Sequence, residues 1–339
     1  MKTIFVIDDS DTNLSMAESA LEDLYRVMTM PSAAKMFELL HKVSPDLILL
    51  DIEMPEMDGF QALQKLKESD HTSHIPVMFL TGRNDPEVEV KGFELGAVDF
   101  VTKPFSAPVL INRIKTHLDI DEIIRERTAQ LHRLQNSIVS VLANIVEHRD
   151  KGTGSHIERT SAYIRILINE MKARGIYEDE MHGWDVDKII SSARMHDLGK
   201  ISITDIIINK PGKLTEEEYE VMKTHAIEGE KIIDEIIAQT GEGEFLRNAR
   251  LFAGYHHERW DGKGYPYGLA EKEIPLQGRI MAIVDVYDAL VSERPYKKAF
   301  SDEEAVQIIM QNAGTHYDPE IADVFFEVKD LFKAVKAEV

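Results

Sequence analysis

Along the first hundred residues, short apolar runs alternate with stretches in which apolar residues recur every three or four positions. IFVI leads into Asp8-Asp9, LILL into Asp51, VMFL into Thr81, and VDFVT into Lys103-Pro104. Between them, MAESALEDL and AAKMFELLHKV carry helical spacing. Strand and helix in alternation predict a parallel sheet with helices on both faces. In such sheets ligands bind beyond the carboxyl ends of the strands, where all four polar groups fall.

The pattern then changes. From Ile111 to Asp150 the chain contains neither Pro nor Gly, and Leu131, Leu134, Ile138, Val141 and Ile145 follow alternating steps of three and four. That spacing draws one apolar stripe, suited to a helix that pairs with another or to one packed on its own domain. Beyond residue 150 the helical segments have no strands between them. SHIERTSAYIRILINEMKARG opens with a capping box from Ser155 to Glu158, and TEEEYEVMKTHAIEGEKIIDEII with another from Thr215 to Glu218. LQGRIMAIVDVYDALVSE is helix-spaced as well. The expected architecture is multidomain. An α/β doubly wound parallel domain spans 1–120, a long helical connector 121–150, and an all-α domain 138–339 that takes in the connector's end.

Composition narrows the functions. A length of 339 residues allows two cores, and 43% hydrophobic with 29% charged residues marks globular protein. Cysteine is absent, which rules out a disulfide framework and fits a reducing, cytoplasmic compartment. MKTIFVIDDS is not a secretory signal, and no apolar run approaches about eighteen residues, so no membrane association is expected. A formal charge of −21 and the lack of a basic recognition helix argue against nucleic-acid binding. A small anionic ligand stays compatible, because a metal site inverts the local sign.

Asp8, Asp9 and Asp51 converging at one sheet edge would repel one another without a cation, and oxygen-only ligands favour Mg²⁺. A carboxylate beside a metal, faced by a hydroxyl and an ammonium, suits a nucleophile that accepts a phosphoryl group. On these residues, positions 1 to about 120 resemble the receiver domain of two-component response regulators. The resemblance implies a five-stranded sheet and Asp51 phosphorylated by a sensor histidine kinase. It implies Asp8, Asp9 and the Glu53 carbonyl around Mg²⁺, Thr81 and Lys103 against the phosphoryl oxygens, and Phe100 at the family's aromatic switch position.

The second half concentrates histidine. His196-Asp197 ends an apolar helix in ARMHDLGK, His156 lies at a helix start, His225 mid-helix, and His256-His257 at another helix end. Asp197 and Asp285 each sit in a strongly apolar stretch, and a buried carboxylate normally has a partner. Imidazoles with carboxylates suit Fe, Mn, Zn or Ni, and five histidines with two aspartates exceed one tetrahedral site. Two ions roughly 3.5–4 Å apart that share a carboxylate clamp both oxygens of a phosphoryl displacement and make hydroxide available near neutrality. The inventory points to phosphoester hydrolysis.

MHDLGK, KTHAIEG, HHERWDGKGYP, IVDVYDAL and ERPYKKA, in this order, resemble the HD-GYP phosphodiesterases of the HD superfamily, which act on cyclic di-GMP. The resemblance covers about residues 138 to 325. It implies His156, His196, Asp197 and Asp285 around one metal and His225, His256 and His257 around the other, with Asp197 bridging and Fe or Mn ahead of Zn or Ni. It places Lys200 by the scissile phosphate, Arg294 and Lys297 on the ligand's phosphates, and Tyr265 in the guanine cleft. Some members carry a third-metal glutamate four positions before the first histidine. That position is Gly152 here, so two metals are expected, and nothing in the sequence brings Glu147 in as a substitute. The expected function is a phosphorylation-regulated cyclic di-GMP phosphodiesterase, with a homodimer allowed through the connector. The alternatives are a non-catalytic cyclic-dinucleotide-binding or protein-interaction module, and a phosphodiesterase for another cyclic dinucleotide.

Overall fold

Five short strands, β1 (Thr3–Ile7), β2 (Arg26–Met30), β3 (Leu47–Asp51), β4 (Val77–Thr81) and β5 (Asp99–Thr102), pair in parallel in the order β2-β1-β3-β4-β5. The computed structural model describes residues 1–69, 71–82, 86–149, 155–293 and 299–338, and divides into two units, Met1–Leu131 and His132–Val339. Strands β3 and β4 are buried along their whole length and β1 nearly so, as the unbroken runs IFVI, LILL and VMFL require. Strand β2, RVMTM, at one edge of the sheet, is half-exposed and broken by Arg26 and Thr29, and so lacks the apolar run that announces the others.

Alternate strand residues feed two cores. Phe5, Ile7, Ile48, Leu50 and Phe79 face Met36 of α2 (Ala33–Leu40) and Leu63 and Leu66 of α3 (Gly59–Glu68). Ile4, Val6, Leu49 and Leu80 face Leu14 and Leu21 of α1 (Asp11–Leu21) and Leu110 and Ile114 of α5 (Ala107–Arg149). Helix α4 (Pro86–Glu94) completes the alternation.

Helix α5 runs unbroken from Ala107 to Arg149, 43 residues; its one proline, Pro108, falls in the first turn, where it is tolerated, and from Val109 onward it carries neither Pro nor Gly. Its predicted stripe is exposed. Leu131, Leu134, Ile138, Val141 and Ile145 are each between 49% and 64% accessible, whereas Val139, Ala143 and Val146 are buried. The stripe, which runs from the end of the first unit into the second, is therefore not spent on a core.

In the second unit every segment is helical among the described residues, apart from isolated bridges: α6 (His156–Arg174), α7 (Val186–Ala193), α8 (Asp205–Ile208), α9 (Glu216–Lys223), α10 (His225–Thr240), α11 (Glu244–Tyr255), α12 (Leu276–Val291), α13 (Asp302–Gln311) and α14 (Pro319–Glu338). Tyr163 of α6, Tyr287 of α12 and Phe332 of α14 meet ring to ring at centroid distances of 4.4–5.3 Å in the main core. A smaller cluster joins Val139 and Val146 of α5 to Ile233, Ala249 and Ala253 of α10 and α11.

Two local expectations are corrected. The segment from Thr215 to Ile237 is two helices that meet at Thr224, so His225 opens α10. Thr215–Glu218 forms its capping box, but Ser155 does not cap α6. The Ser155 hydroxyl instead accepts from Arg159 Nη1, and Glu147 Oε1 accepts the backbone N–H of His156. Arg159 competes successfully for the serine oxygen, and a carboxylate from α5 takes the freed helix terminus.

Candidate active site

Five segments of the second unit bring seven side chains together. His156 opens α6, His196 and Asp197 occupy the turn after α7, His225 opens α10, His256 and His257 end α11, and Asp285 lies within α12. They divide into two sets, His156 with His196 and Asp285, and His225 with His256 and His257. Within each set one ligand atom per residue lies within 4.8 Å of the others. Asp197 stands between them. Its Oδ2 lies 3.4 Å from His196 Nε2, while its Oδ1 lies 3.5 Å from His225 Nε2 and 3.8 Å from His256 Nε2.

Glycines permit this convergence. A Cβ on Gly199, two residues after Asp197, would fall 1.9 Å from the His225 carbonyl oxygen and 2.3 Å from the Gly229 nitrogen, so the turn after α7 rests directly on the backbone of α10. Gly278 does the same for α12, where a Cβ would lie 2.7 Å from the Tyr255 carbonyl oxygen at the end of α11.

Local helix geometry sets the tautomers. The Nδ1–H of His196 donates to the Ala193 carbonyl at 2.9 Å, that of His225 to Met222 at 2.7 Å, and that of His256 to Phe252 at 2.9 Å. Each donation leaves Nε2 as a lone pair aimed at the site. His156 Nδ1 instead donates to Asp288 Oδ2 at 2.8 Å, with Nε2 3.7 Å from Asp285 Oδ1.

Burial pushes the pKa of His256 down to about 3, helped by the neighbouring His196 and His225, and holds His225 below and His257 well below the usual range. These imidazoles are neutral near pH 7. Burial opposes protonation of His156 too, but Asp288, Asp285 and Asp197 prevail and raise its pKa. Desolvation acts to raise Asp197, yet the Lys200 ammonium and the histidines hold its carboxyl well below the ordinary value.

The donor set fits metal ions. His225 Nε2 and His256 Nε2 face each other at 3.2 Å although each nitrogen's ring has already given its proton to a carbonyl, and His196 Nε2 is buried with no hydrogen-bond partner. Two lone pairs in contact and a third orphaned are costly unless a cation accepts them. Imidazole with carboxylate is the ligand chemistry of first-row transition metals.

A cavity of about 440 Å³ opens over the cluster, lined among others by Lys200, Arg194, Asn209, Lys210 and Tyr265. Lys200 Nζ lies 2.8 Å from Asp197 Oδ2. Tyr265 stacks on His257 at 4.7 Å with its backbone N–H donated to the His257 carbonyl, and burial keeps its hydroxyl protonated. Glu258, 2% exposed, accepts the N–H groups of Tyr267, Gly268 and Leu269 and so ties down the loop carrying Tyr265. Gly264 packs against this tether, since a Cβ there would meet Arg259 N at 2.3 Å. Arg294, Lys297 and Gly152 lie outside the described residues.

Asp197 and Asp285 are expected to be buried, but their side chains are 22% and 24% exposed, because both face the cavity. The buried carboxylate of α12 is Asp288, at 2%. The signal that singled out Asp285, an acid in an apolar run, applied equally three residues on. Glu147 was given no place, yet it lines the cavity with Oε2 buried and unpartnered. Nothing in its sequence context signals that.

In the first unit, Asp8, Asp9 and Asp51 bring carboxylate oxygens within 4.8 Å of one another. Lys103 Nζ lies 2.6 Å from Asp8 Oδ2 and 2.8 Å from Asp51 Oδ1, and Thr81 is buried at the end of β4. Burial pushes the Asp51 carboxyl up against the pull of Lys103, and Glu53 offers it a backbone hydrogen bond. An oxygen-only set of this kind fits Mg²⁺.

Family profiles match both units, a response regulator receiver domain over 4–115 and an HD domain over 140–321. A "Probable cyclic di-GMP phosphodiesterase" of Vibrio cholerae is 41% identical over 95% of this chain and 77% of its own length. The "Cyclic di-GMP phosphodiesterase response regulator RpfG" of Xanthomonas campestris is 32% identical over 94% of this chain and 86% of its own. A Vibrio cholerae "3'3'-cGAMP-specific phosphodiesterase 2" is 35% identical over 62% of this chain and 38% of its own length. No described helix is long and apolar enough to cross a membrane. The chain belongs to the response regulators that join a receiver domain to an HD domain, the family of the proteins named cyclic di-GMP phosphodiesterases.

Proposed function

We propose that this chain hydrolyses cyclic di-GMP in its HD domain and that phosphorylation of Asp51 regulates the reaction. One observation carries the reading: Asp197 turns one oxygen to each of two histidine sets on the floor of a cavity. HD phosphodiesterases depend on metal ions and receivers bind Mg²⁺. We assign one ion to His156, His196, Asp197 and Asp285, the other to His225, His256 and His257 with Asp197 shared, and Fe or Mn ahead of Zn or Ni. When bound, such a pair polarises the phosphoryl oxygens and lowers the pKa of a shared water.

The protein's own groups do the rest. Lys200 stands where an ammonium neutralises charge that develops on a phosphoryl oxygen, and Asp197 holds it there. Tyr265, fixed on His257, offers a ring face for a purine and a protonated hydroxyl. Arg294 and Lys297 are assigned to the ligand's phosphates. In the receiver, Asp8, Asp9 and the Glu53 carbonyl are assigned to Mg²⁺, and Thr81 and Lys103 to the phosphoryl oxygens, with a sensor histidine kinase as phosphodonor. The exposed stripe of α5 repeats every seven residues through Leu131, Ile138 and Ile145, the spacing of a two-helix seam, and a second copy of this chain is the occupant it fits.

The test is anaerobic metal loading followed by product analysis with cyclic di-GMP. Turnover is expected, with Asp197→Asn at least about a hundredfold slower. A metal-replete protein that binds cyclic di-GMP without cleaving it would sink the proposal. The 3'3'-cGAMP-specific relative motivates a second reading, hydrolysis of that hybrid, which competition among cyclic dinucleotides separates from the first.

A further inference from the structure

His156 differs from the other histidines in how its ring is held. His196, His225 and His256 each give their Nδ1 proton to a carbonyl three or four residues back along the chain. His156 is the first residue of α6, and its ring instead reaches across to α12. There Asp288, 2% exposed, accepts His156 Nδ1 on Oδ2 at 2.8 Å. The same carboxylate takes a bidentate guanidinium, with Arg159 Nε 2.6 Å from Oδ1 and Nη2 2.9 Å from Oδ2. Arg159 is 7% exposed and braced by Ser155 and Ser292.

We infer that Asp288 and Arg159 are positioning residues for the metal assigned to His156. Asp288 fixes the tautomer that leaves Nε2 lone and directed at Asp285, and it makes that nitrogen a stronger donor. Arg159 keeps the buried carboxylate ionised and its plane fixed, a task for a planar fork and not for a point charge. The inference rests on the two-metal reading, and it predicts an asymmetry: the pair serves one ion and leaves the other alone.

The test is titration of the metal-free full-length protein with Mn²⁺ alone, in millimolar Mg²⁺ to fill the receiver, with free Mn²⁺ read by electron paramagnetic resonance. In Asp288→Asn, one of two sites is expected to weaken by about 10–100-fold, the effect of losing such a partner, and the other to stay within about twofold. Arg159→Lys should weaken the same ion by less. Asp288→Asn placed on His156→Ala should add almost nothing, because both act through one nitrogen. Unchanged affinities in a folded variant, or equal loss of both ions alongside a lowered melting temperature, would reduce the pair to a structural ion pair. Should Asp288→Asn fail to fold, the Arg159→Lys titration decides by the same asymmetry. A wild-type protein that binds two Mn²⁺ but does not cleave cyclic di-GMP overturns the proposed activity and leaves this inference standing.

Discussion

At the scale of single residues, the histidines of this site are shaped by what surrounds them more than by what they are. His256, with its pKa near 3 in the fold against about 6.5 in an unfolded chain, refuses a proton that the unfolded chain accepts. The metal-free fold therefore has its full contribution from His256 above pH 6.5 and loses it as pH falls from 6.5 toward 3. At about 1.4 kcal/mol per unit, the window is worth on the order of a few kcal/mol. His156 acts with the opposite sign, since its raised pKa favours the fold below 6.5 and that contribution fades as pH rises through the folded value. Urea unfolding of metal-free protein at pH 7.5 and pH 5 is expected to show a loss on acidification that His256→Gln reduces, the remainder coming from His225 and His257, which are depressed as well. Equal slopes in both proteins would contradict it. All seven core positions could be read from the sequence because each residue type sits beside a recognisable motif. Asp288 carries the same signal as Asp285, an acid in an apolar run, but its partners His156 and Arg159 lie more than a hundred residues away, and Glu147, which acts across a helix start, carries no signal at all.

At the scale of elements, the site depends on backbones that touch. Gly199→Ala would set a methyl inside the van der Waals radius of the His225 carbonyl, forcing the turn that carries His196 and Asp197 away from α10. Overpacking typically costs about 1–3 kcal/mol, and here it also separates the two histidine sets. The expected outcome is a lowered melting temperature together with weaker binding of both metals, measured by calorimetry and metal titration; a stable, fully metallated variant would refute it. Gly264→Ala should behave differently. It displaces the Tyr265 loop from Glu258 but spares the contact between the turn after α7 and α10, so KM should rise several-fold with a smaller loss of metal than in Gly199→Ala. Element type was largely legible, as periodicity separates the strands β1, β3 and β4 from the helices around them. What escaped was decided by tertiary context. Strand β2 is half-exposed at a sheet edge, and the break at Thr224 interrupts a helical pattern that is continuous in sequence.

For the molecule as a whole, the receiver and the HD domain were readable in order, and the long helix between them was readable from its lack of Pro and Gly. Its exposed stripe was the part that periodicity alone left open, since a paired helix and a packed one share the same spacing. Leu134→Glu with Ile138→Glu is expected to halve the sedimenting mass if two copies pair there; an unchanged mass would exclude that seam. Asp51→Ala should abolish the response of phosphodiesterase rate to acetyl phosphate while leaving metal content as in the wild type, and a persisting response would break the regulatory link. The run from His256 to Glu258 has a consequence of its own. Two imidazoles of one histidine set and the carboxylate that anchors the Tyr265 loop are consecutive, so their order is a ruler with no slack. Replacements that keep size are tolerable there one at a time. A single inserted residue after His257, however innocuous its chemistry, would turn the anchor to another face and unfasten the loop from the centre it serves.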